Sequence, residues 1–238
     1  MGAFLRSSAV VLILLAWTPP LSACPYCKQR PKVWAGVFNE DFAVTLVQVT
    51  LAIPLLIGIG LAFHWADRWP FRSVAETTPP IRRGPFLSAG ITMGIGLGGF
   101  LDGIFLYMLL QWHNIIAERI APTDFVSLEI NMFWDGVFNL GMWLITAVGL
   151  YLLWRASCLP NVIWSGRVLF GTLLAGWGIF QIVDSLLFHW IFRLHHIKQG
   201  SPNWLLWDLA YFVMGLALIG VGWSLMRNRK DIAADVTA

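Results

Sequence analysis

Charged residues are scarce in this chain. Only 12% of its 238 residues are Asp, Glu, Lys or Arg, whereas 58% are hydrophobic and the mean hydropathy is +0.69. Soluble domains are about a quarter charged and about half apolar, so this composition indicates an integral membrane protein. A basic stripe interleaved with aromatic residues is also missing, and the net charge is only +3. We therefore expect the lipid bilayer as the protein's surroundings and no nucleic-acid partner.

Strict alternation of apolar and polar residues, the pattern of a half-buried strand, is absent from the apolar stretches. Five of these stretches are about 20 residues long, enough for a helix to cross the hydrocarbon core. They lie at 43–64, 86–112, 132–154, 168–194 and 204–226. Backbone groups in lipid must be hydrogen-bonded within their own segment. We therefore predict an all-α integral membrane fold, with five transmembrane helices after an N-terminal signal or lipoprotein segment.

The first 23 residues have the pattern of an export signal. Arg6 precedes an apolar run that ends in LSAC at residues 21–24. A basic flank, a short apolar core and a small-residue end are typical of a cleaved signal peptide. The same four letters also resemble the lipobox of bacterial lipoprotein precursors, in which the cysteine after the cleavage site is lipidated. An uncleaved first helix is the remaining alternative.

Arginine and lysine are concentrated in alternate connections between the predicted helices. The positive-inside rule places these connections in the cytoplasm, so the intervening ones face the periplasm across a bacterial inner membrane. The predicted organisation is a signal (1–23), a periplasmic CPYC segment with the first helix (24–65), a cytoplasmic loop (66–85), a four-helix membrane domain (86–226) and a cytoplasmic tail (227–238).

The last four predicted helices contain an internal repeat. An offset of 82 residues aligns the second helix with the fourth, and an offset of 73 aligns the third with the fifth. The aligned pairs include Gly94 and Gly176, Asp102 and Asp184, His113 and His195, and Asp135 and Asp208. We predict two parallel-related helix pairs about a pseudo-twofold axis along the membrane normal, with a site at their interface. Chance alignment of glycine-rich apolar helices is the alternative.

Two carboxylates lie inside apolar stretches. No lysine or arginine lies within the second, third or fifth predicted helix, so Asp102 has no evident salt-bridge partner. Intramembrane carboxylates are costly and are functional candidates, although a protonated carboxyl bonded across helices is the plain alternative. On a regular helix His113 shares the face of Asp102 but lies about 16 Å further along. We therefore predict Asp102 and Asp184 near the midplane, with His113 and His195 at the periplasmic surface.

Imidazoles and carboxylates are expected at one level near the periplasmic helix ends. The candidate metal ligands are His113, His189, His195, His196, Asp135 and Asp208. Neutral imidazole with carboxylate suits zinc or copper, so we expect a transition-metal cofactor. In an alternative arrangement the aspartates orient the histidines by accepting their second N–H. The plain alternative is that polar residues at helix ends face water.

Two histidines distinguish the second helix pair from the first. His189 and His196 share a helix face because they are seven residues apart. Their counterparts at the offset of 82 are Tyr107 and Asn114. We expect aspartate and histidine to form the scaffold common to both halves, and His189 and His196 to make the second half chemically distinct.

Cys24 and Cys27 form the motif CPYC. A CxxC motif is a redox pair or a soft-metal ligand pair, and a disulfide is its ordinary form in an oxidising periplasm. A glutaredoxin fold is excluded because no βαβ pattern surrounds the motif. Lipidation of Cys24 would exclude every one of these uses of its sulfur.

Several short motifs carry a resemblance to a known family. GFLDGI (99–104), LQWH (110–113), WDGVF (134–138), LHHI (194–197) and a final WDL (207–209) resemble the bacterial predicted membrane proteins of domain of unknown function 2243, over about residues 86–226. The family pattern has histidine where this chain has Tyr107 and Asn114, and often at Asn139. The resemblance implies a membrane protein without an established activity, and a respiratory oxidase or its assembly machinery as a partner.

Four classes of function follow from these observations. The preferred one is a metal-binding membrane protein that supports a respiratory enzyme. The others are a metal-dependent membrane-embedded enzyme (a hydrolase or oxidase), a proton or ion conductor that uses Asp102 and Asp184, and a structural subunit. Conduction is disfavoured because the cytoplasmic halves of the second and fourth helices carry few polar residues.

Overall fold

The computed structural model describes residues 29–68, 82–162 and 164–227. These residues form helices and no strand, apart from one isolated bridge between Arg82 and Val162. Five helical spans are long and apolar enough to cross a membrane: Phe42–Trp65, Gly84–Leu109, Phe125–Ser157, Gly166–Ile191 and Trp204–Arg227. The prediction of an all-α fold with five transmembrane helices is confirmed. The predicted signal, the CPYC motif and the predicted tail beyond Arg227 lie outside the described residues.

Consecutive short helices make up the beginning of the fold. Helix α1 (Arg30–Val37) precedes the first span, which consists of α2 (Phe42–Thr50), α3 (Ala52–Ala62) and a 3-10 helix from Phe63 to Arg68. The break between α2 and α3 comes close to Pro54. Proline has no N–H to donate, so the carbonyl of Thr50, four residues earlier, loses its helical partner there.

Two glycine-rich helices form the centre of the bundle. They are α4 (Gly84–Asp102) and α6 (Gly166–Asp184), and each continues directly into a π-helix, Gly103–Leu109 or Ser185–Ile191. In each central span, 61% of the most apolar 18-residue stretch is buried inside the bundle. The corresponding shares are 22%, 28% and 17% in the first, third and fifth spans. The third and fifth spans are α5 (Phe125–Ser157) and α7 (Trp204–Arg227), which flank the centre.

The bounds of the central helices repeat with the sequence offset. Both ends of α4 and of its π-helix differ from those of α6 and its π-helix by 82 residues. Glycine contacts repeat in the same way. A Cβ on Gly96 would overlap the backbone of Met142 and Thr146 in α5, and a Cβ on Gly178 would overlap the backbone of Gly215 and Ile219 in α7. These two pairs in α5 and α7 are related by the offset of 73.

Gly94 and Gly176 face each other where α4 crosses α6. A Cβ on Gly176 would lie 2.9 Å from the Cα of Gly94, and a Cβ on Gly94 would lie 2.7 Å from the Cα of Leu173. Because no side chain separates the two backbones, the helices approach closely, as small residues permit in membranes. The candidate site is built at the end of this contact, where both helices carry an aspartate.

Helix ends differ from the predicted ones for local reasons. The second and fourth spans end at Leu109 and Ile191, earlier than predicted, because the chain turns sharply two residues beyond each. Helix α5 begins at Phe125, ahead of the apolar run, because Asp124 caps it. The Asp124 carboxylate accepts hydrogen bonds from the N–H groups of Val126 and Ser127, at 2.7 and 3.0 Å, in a capping box.

Candidate metal centre

Two irregular segments carry histidines back to the bundle. They follow the two π-helices, and we call residues 110–124 and 192–203 the end loops. Each turns at a residue with positive φ, Gln111 at 49° and Arg193 at 50°. Equivalent backbone hydrogen bonds close the turns: the N–H of Trp112 donates to Leu106 at 2.9 Å, and the N–H of Leu194 donates to Phe188 at 2.8 Å.

Asp184, His189 and His195 meet in one buried cluster. Each offers one potential ligand atom, and the three atoms lie within 4.8 Å of one another. The residues are 1%, 1% and 0% exposed, so the cluster is shielded from solvent. The predicted separation of about 16 Å between Asp184 and His195 is therefore wrong. The helix ends at Ile191, and the turn at Arg193 returns the histidine to the level of the carboxylate.

His189 lies between two carboxylates. Its Nε2 is 3.3 Å from Oδ2 of Asp184, and its Nδ1 is 3.3 Å from Oδ1 of Asp208. Neither contact has hydrogen-bond geometry, and both ring nitrogens are buried without a hydrogen-bond partner in the part of the chain that the structure describes. The ring is thus held by charge and packing, and its nitrogens stay available to a ligand.

His113 and His195 bind each other's end loop. Nδ1 of His113 donates to the carbonyl of Ile197 at 2.9 Å, and Nδ1 of His195 donates to the carbonyl of Ile115 at 3.2 Å. Because a carbonyl only accepts, Nδ1 carries the proton in both rings and Nε2 keeps its lone pair. The rings stack with centroids 4.5 Å apart and planes 5° apart.

Both of these rings are neutral. Burial lowers the pKa of His113 to about 3 and lowers the pKa of His195 well below its usual value. Hydrogen bonds from Nδ1 to the two carbonyls act in the opposite direction but do not offset the burial. Both Nε2 atoms are buried and have no partner among the described residues. Neutral imidazole with a free Nε2 is the form that binds metal ions.

Asp135 and Asp208 anchor the end loops. Oδ1 of Asp135 accepts the N–H of Ile115 at 2.8 Å, and Oδ1 of Asp208 accepts the N–H of Ile197 at 2.9 Å. Their second oxygens accept from the neighbouring side chains: the amide of Asn114 donates to Asp135 at 2.6 Å, and Nδ1 of His196 donates to Asp208 at 2.7 Å. Every one of these bonds has its counterpart at the offsets of 82 and 73.

His196 lies at the rim of the site. Its side chain is 16% exposed, and its ring centroid is 4.2 Å from that of Trp204. Nε2 of His196 is 3.9 Å from the carboxylate of Glu118, which is itself 39% exposed. Nδ1 of His196 is engaged by Asp208, whose other oxygen lies beside His189, so His196 is linked to the cluster through the aspartate.

Unpaired polar atoms are concentrated around the cluster. Besides the histidine nitrogens, the buried atoms without a hydrogen-bond partner within residues 29–68, 82–162 and 164–227 include both oxygens of Asp184, Oε1 of Gln181 and Oγ of Ser185. Buried polar atoms are nearly always paired, and each unpaired one is costly. A carboxylate oxygen with imidazole nitrogens is a donor set of zinc and copper, so the residues present fit such an ion.

Asp102 is held by a residue that sequence reasoning did not single out. The hydroxyl of Tyr211 donates to Oδ1 of Asp102 at 3.0 Å, and the Tyr211 ring stacks on His189 with centroids 5.9 Å apart. A tyrosine in an apolar helix is an ordinary residue. The sequence contained one signal for the role of Tyr211. At the offset of 73 it aligns with Phe138, so the second half has a hydroxyl where the first half has none.

The remaining candidates lie apart from the cluster or beyond the described residues. His64 is exposed, beside Trp65 at the other end of the first span. Cys158 is a free, exposed thiol at the end of α5. Cys24 and Cys27 lie outside the described residues. The cluster is therefore made from histidine and aspartate, with tyrosine beside it.

Comparison with known proteins identifies a family. No curated protein and no solved structure matches this chain. One family model, described as "Predicted membrane protein (DUF2243)", matches residues 89–229, which include most of α4, all of α5 to α7 and every residue of the cluster. Because this match covers more than half of the sequence, the chain belongs to that family of predicted membrane proteins.

Proposed function

We propose that this membrane protein binds a transition-metal ion, copper or zinc, through Asp184, His189 and His195. The observation that carries the proposal is their convergence: three ligand atoms within 4.8 Å of one another, all in buried side chains. Structural aspartates and histidines in a membrane interior normally satisfy their polar atoms with one another. Here the carboxylate oxygens of Asp184 and Nε2 of His195 have no hydrogen-bond partner among the residues described.

Five of the six predicted ligands, together with Asp184, have different roles in this proposal. His189 and His195 supply nitrogen ligands, and Asp184 supplies an oxygen ligand. Asp208 orients His189 from 3.3 Å and anchors its own end loop, as outer carboxylates do in metal sites. Asp135 anchors the other end loop, and His196 connects Asp208 with the rim. Three protein ligands leave a fourth position for an exchangeable group.

We also propose an orientation and a history for the fold. The positive-inside bias and the export-signal pattern together support a periplasmic position for the end loops, in a bacterial inner membrane. The repeated helix bounds and hydrogen bonds support a duplicated helix pair. The family resemblance makes a respiratory oxidase or its assembly machinery the first partner to test.

Metal analysis of the purified protein tests the metal proposal. We expect stoichiometric copper or zinc by elemental mass spectrometry in detergent, and about one equivalent less in Asp184→Asn/His189→Gln. His64→Gln is the matched control, because it removes a histidine that is exposed and remote from the cluster. Its metal content should equal that of the unmodified protein.

Two results would overturn this proposal. One is an unmodified protein that stays free of metal after reloading with Cu(II) and Zn(II). The other is a double variant that elutes as a monodisperse species and keeps all the metal. In either case the cluster would be a purely structural element of the helix contact.

A further inference from the structure

We propose that the first helix pair holds a second metal site with a different ligand set: Asp102, Tyr107 and His113. Its donors are a carboxylate oxygen, a phenol oxygen and an imidazole nitrogen. This site is distinct from the one formed by Asp184, His189 and His195, and it does not require that site to be filled. With both sites filled, the chain would hold two neighbouring metal ions, one bound through a phenol oxygen and the other through a second imidazole nitrogen.

The geometry of the first half matches that of the second. Asp102, Tyr107 and His113 precede Asp184, His189 and His195 by 82 residues along identically bounded helices. The rings of Tyr107 and His113 have centroids 4.7 Å apart and planes at 73°. The rings of His189 and His195 have centroids 4.8 Å apart and planes at 73°. The phenol ring of Tyr107 thus occupies the place that an imidazole has in the other half.

Each of the three side chains has a buried atom without a hydrogen-bond partner in the described ranges of the chain. These atoms are Oδ2 of Asp102, the hydroxyl of Tyr107 and Nε2 of His113. The residues are 6%, 4% and 3% exposed, so bulk water does not satisfy them. A buried tyrosine hydroxyl usually finds a hydrogen-bond partner, and a buried carboxylate does so almost without exception. Three unsatisfied donor atoms on matching positions point to a bound ion.

The donor atoms favour a harder ion than the second half does. Replacing the imidazole of His189 with the phenol of Tyr107 exchanges a nitrogen donor for an oxygen donor. Oxygen donors suit harder ions, and tyrosine serves as an axial ligand of iron in catalase. Tyr211 further distinguishes the site because it occupies Oδ1 of Asp102 and leaves one oxygen for the ion. The site therefore favours Fe(III) and also accepts Cu(II), with the phenol proton released to solvent as the phenolate binds the ion.

Copper(II) binding gives a readout that is specific to this site. Phenolate bound to Cu(II) produces a charge-transfer absorption band in the visible region, whereas the charge-transfer bands of imidazole and carboxylate ligands lie in the ultraviolet. The full chain is purified in detergent without a histidine tag, its thiols are alkylated, and it is titrated with Cu(II). We expect two equivalents of copper per chain and a phenolate band. In Asp184→Asn/His189→Gln we expect one equivalent and an undiminished band.

Variants of two tyrosines assign the band, one in the proposed site and one remote from it. Tyr107→Phe should abolish the band and lower the copper content from two equivalents to one. Tyr107→His should abolish the band but retain two equivalents, because it restores the ligand found at His189. Tyr151→Phe is the control, since Tyr151 is exposed and lies beside Arg82 and Arg155 at the other end of the bundle, and it should keep the band.

Failure of this proposal is distinguishable from failure of the first one. One equivalent of copper without a phenolate band in the unmodified protein would overturn the second site and leave the first intact. A band that survives in Tyr107→Phe would overturn it as well. If the Tyr107 variants do not fold, resonance Raman spectra of the unmodified protein with ring-deuterated tyrosine decide the question. An isotope-insensitive band would exclude phenolate coordination, and no copper at all would overturn both proposals.

Discussion

Asp135 and Asp208 anchor the end loops by accepting a backbone N–H and a side-chain N–H each. At the scale of single residues, these aspartates explain how an irregular segment stays ordered over a buried cluster. Each N–H of Ile115 and Ile197 is buried, so a loop that moved away would leave a donor unpaired. The aspartates therefore hold the histidines indirectly, through the backbone of the residues that follow them.

Asparagine at either anchor should separate loop anchoring from metal binding. Asp135→Asn and Asp208→Asn should each lower the free energy of unfolding by about 1.5–3 kcal/mol, because each weakens hydrogen bonds to a buried carboxylate. Asp208→Asn should also weaken metal binding at His189 about 10- to 100-fold, because the carboxylate 3.3 Å from Nδ1 is lost. Denaturation in detergent and metal titration measure the two effects.

The two anchors serve as controls for each other. Asp135 does not contact His189 and reaches the site only through Ile115, whose carbonyl binds Nδ1 of His195, so Asp135→Asn should destabilise the fold but weaken metal binding less than Asp208→Asn does. Equal losses of affinity in both variants would contradict the role given to Asp208.

At the scale of helices, the crossing of α4 and α6 sets the distance between the two halves. Gly94 and Gly176 allow backbone contact at the crossing, and both helices then run to an aspartate and a π-helix. Unusual helical turns of this kind are frequent at functional sites. Any separation of α4 from α6 therefore also moves Asp102 and His113 away from Asp184 and His195.

A methyl group at the crossing should destabilise the bundle. Gly94→Ala should lower the free energy of unfolding by about 1–3 kcal/mol, because the new Cβ would overlap the backbone of Leu173. Gly220→Ala is the matched control within α7, since nothing lies within 4 Å of its Cβ position. This control should be neutral or stabilising by about 0.5–1 kcal/mol, because alanine favours helix. Thermal unfolding in detergent compares them, and equal effects would argue against a tight crossing.

Sequence patterns predicted the helices better than their ends. The length of each apolar run decided the number and type of spans, because lipid permits few alternatives to a helix. The turns at Gln111 and Arg193 carry no glycine or proline, so nothing in the sequence marked where the helices stop. Extending a regular helix through them placed Asp184 and His195 on different levels. The polar residues themselves were recognisable as isolated exceptions in apolar stretches, but their convergence was not.

At the scale of the whole molecule, the two ends of the bundle differ in chemistry. One end carries the buried histidine cluster beneath the end loops. Lys198 closes this end between two indoles, with its Nζ 5.0 Å from the ring centroid of Trp112 and 4.9 Å from that of Trp207. The other end carries Arg82 and the exposed thiol of Cys158. The proposed orientation places the first end in the periplasm.

Thiol labelling on intact cells tests this orientation. Asn203 is exposed in the second end loop, so Asn203→Cys should react with a membrane-impermeant maleimide applied from outside. Cys158 should stay unlabelled until the membrane is permeabilised. Peptide mass spectrometry identifies which thiol has reacted. Labelling of Cys158 but not of position 203 in intact cells would reverse the orientation and place the metal centre at the cytoplasmic face.

The exchange of hydrogen bonds between His113 and Ile197, and between His195 and Ile115, has the form of an isologous contact. In a symmetric homodimer such a contact uses the same patch of surface twice, and every substitution appears on both sides of the axis. In one continuous chain the two sides are encoded separately. Tyr107 and His189 can therefore differ while the reciprocal bonds that align them stay the same. Because both halves are in one chain, each half can change its own side chains at the site while the symmetric backbone arrangement of the two halves is retained.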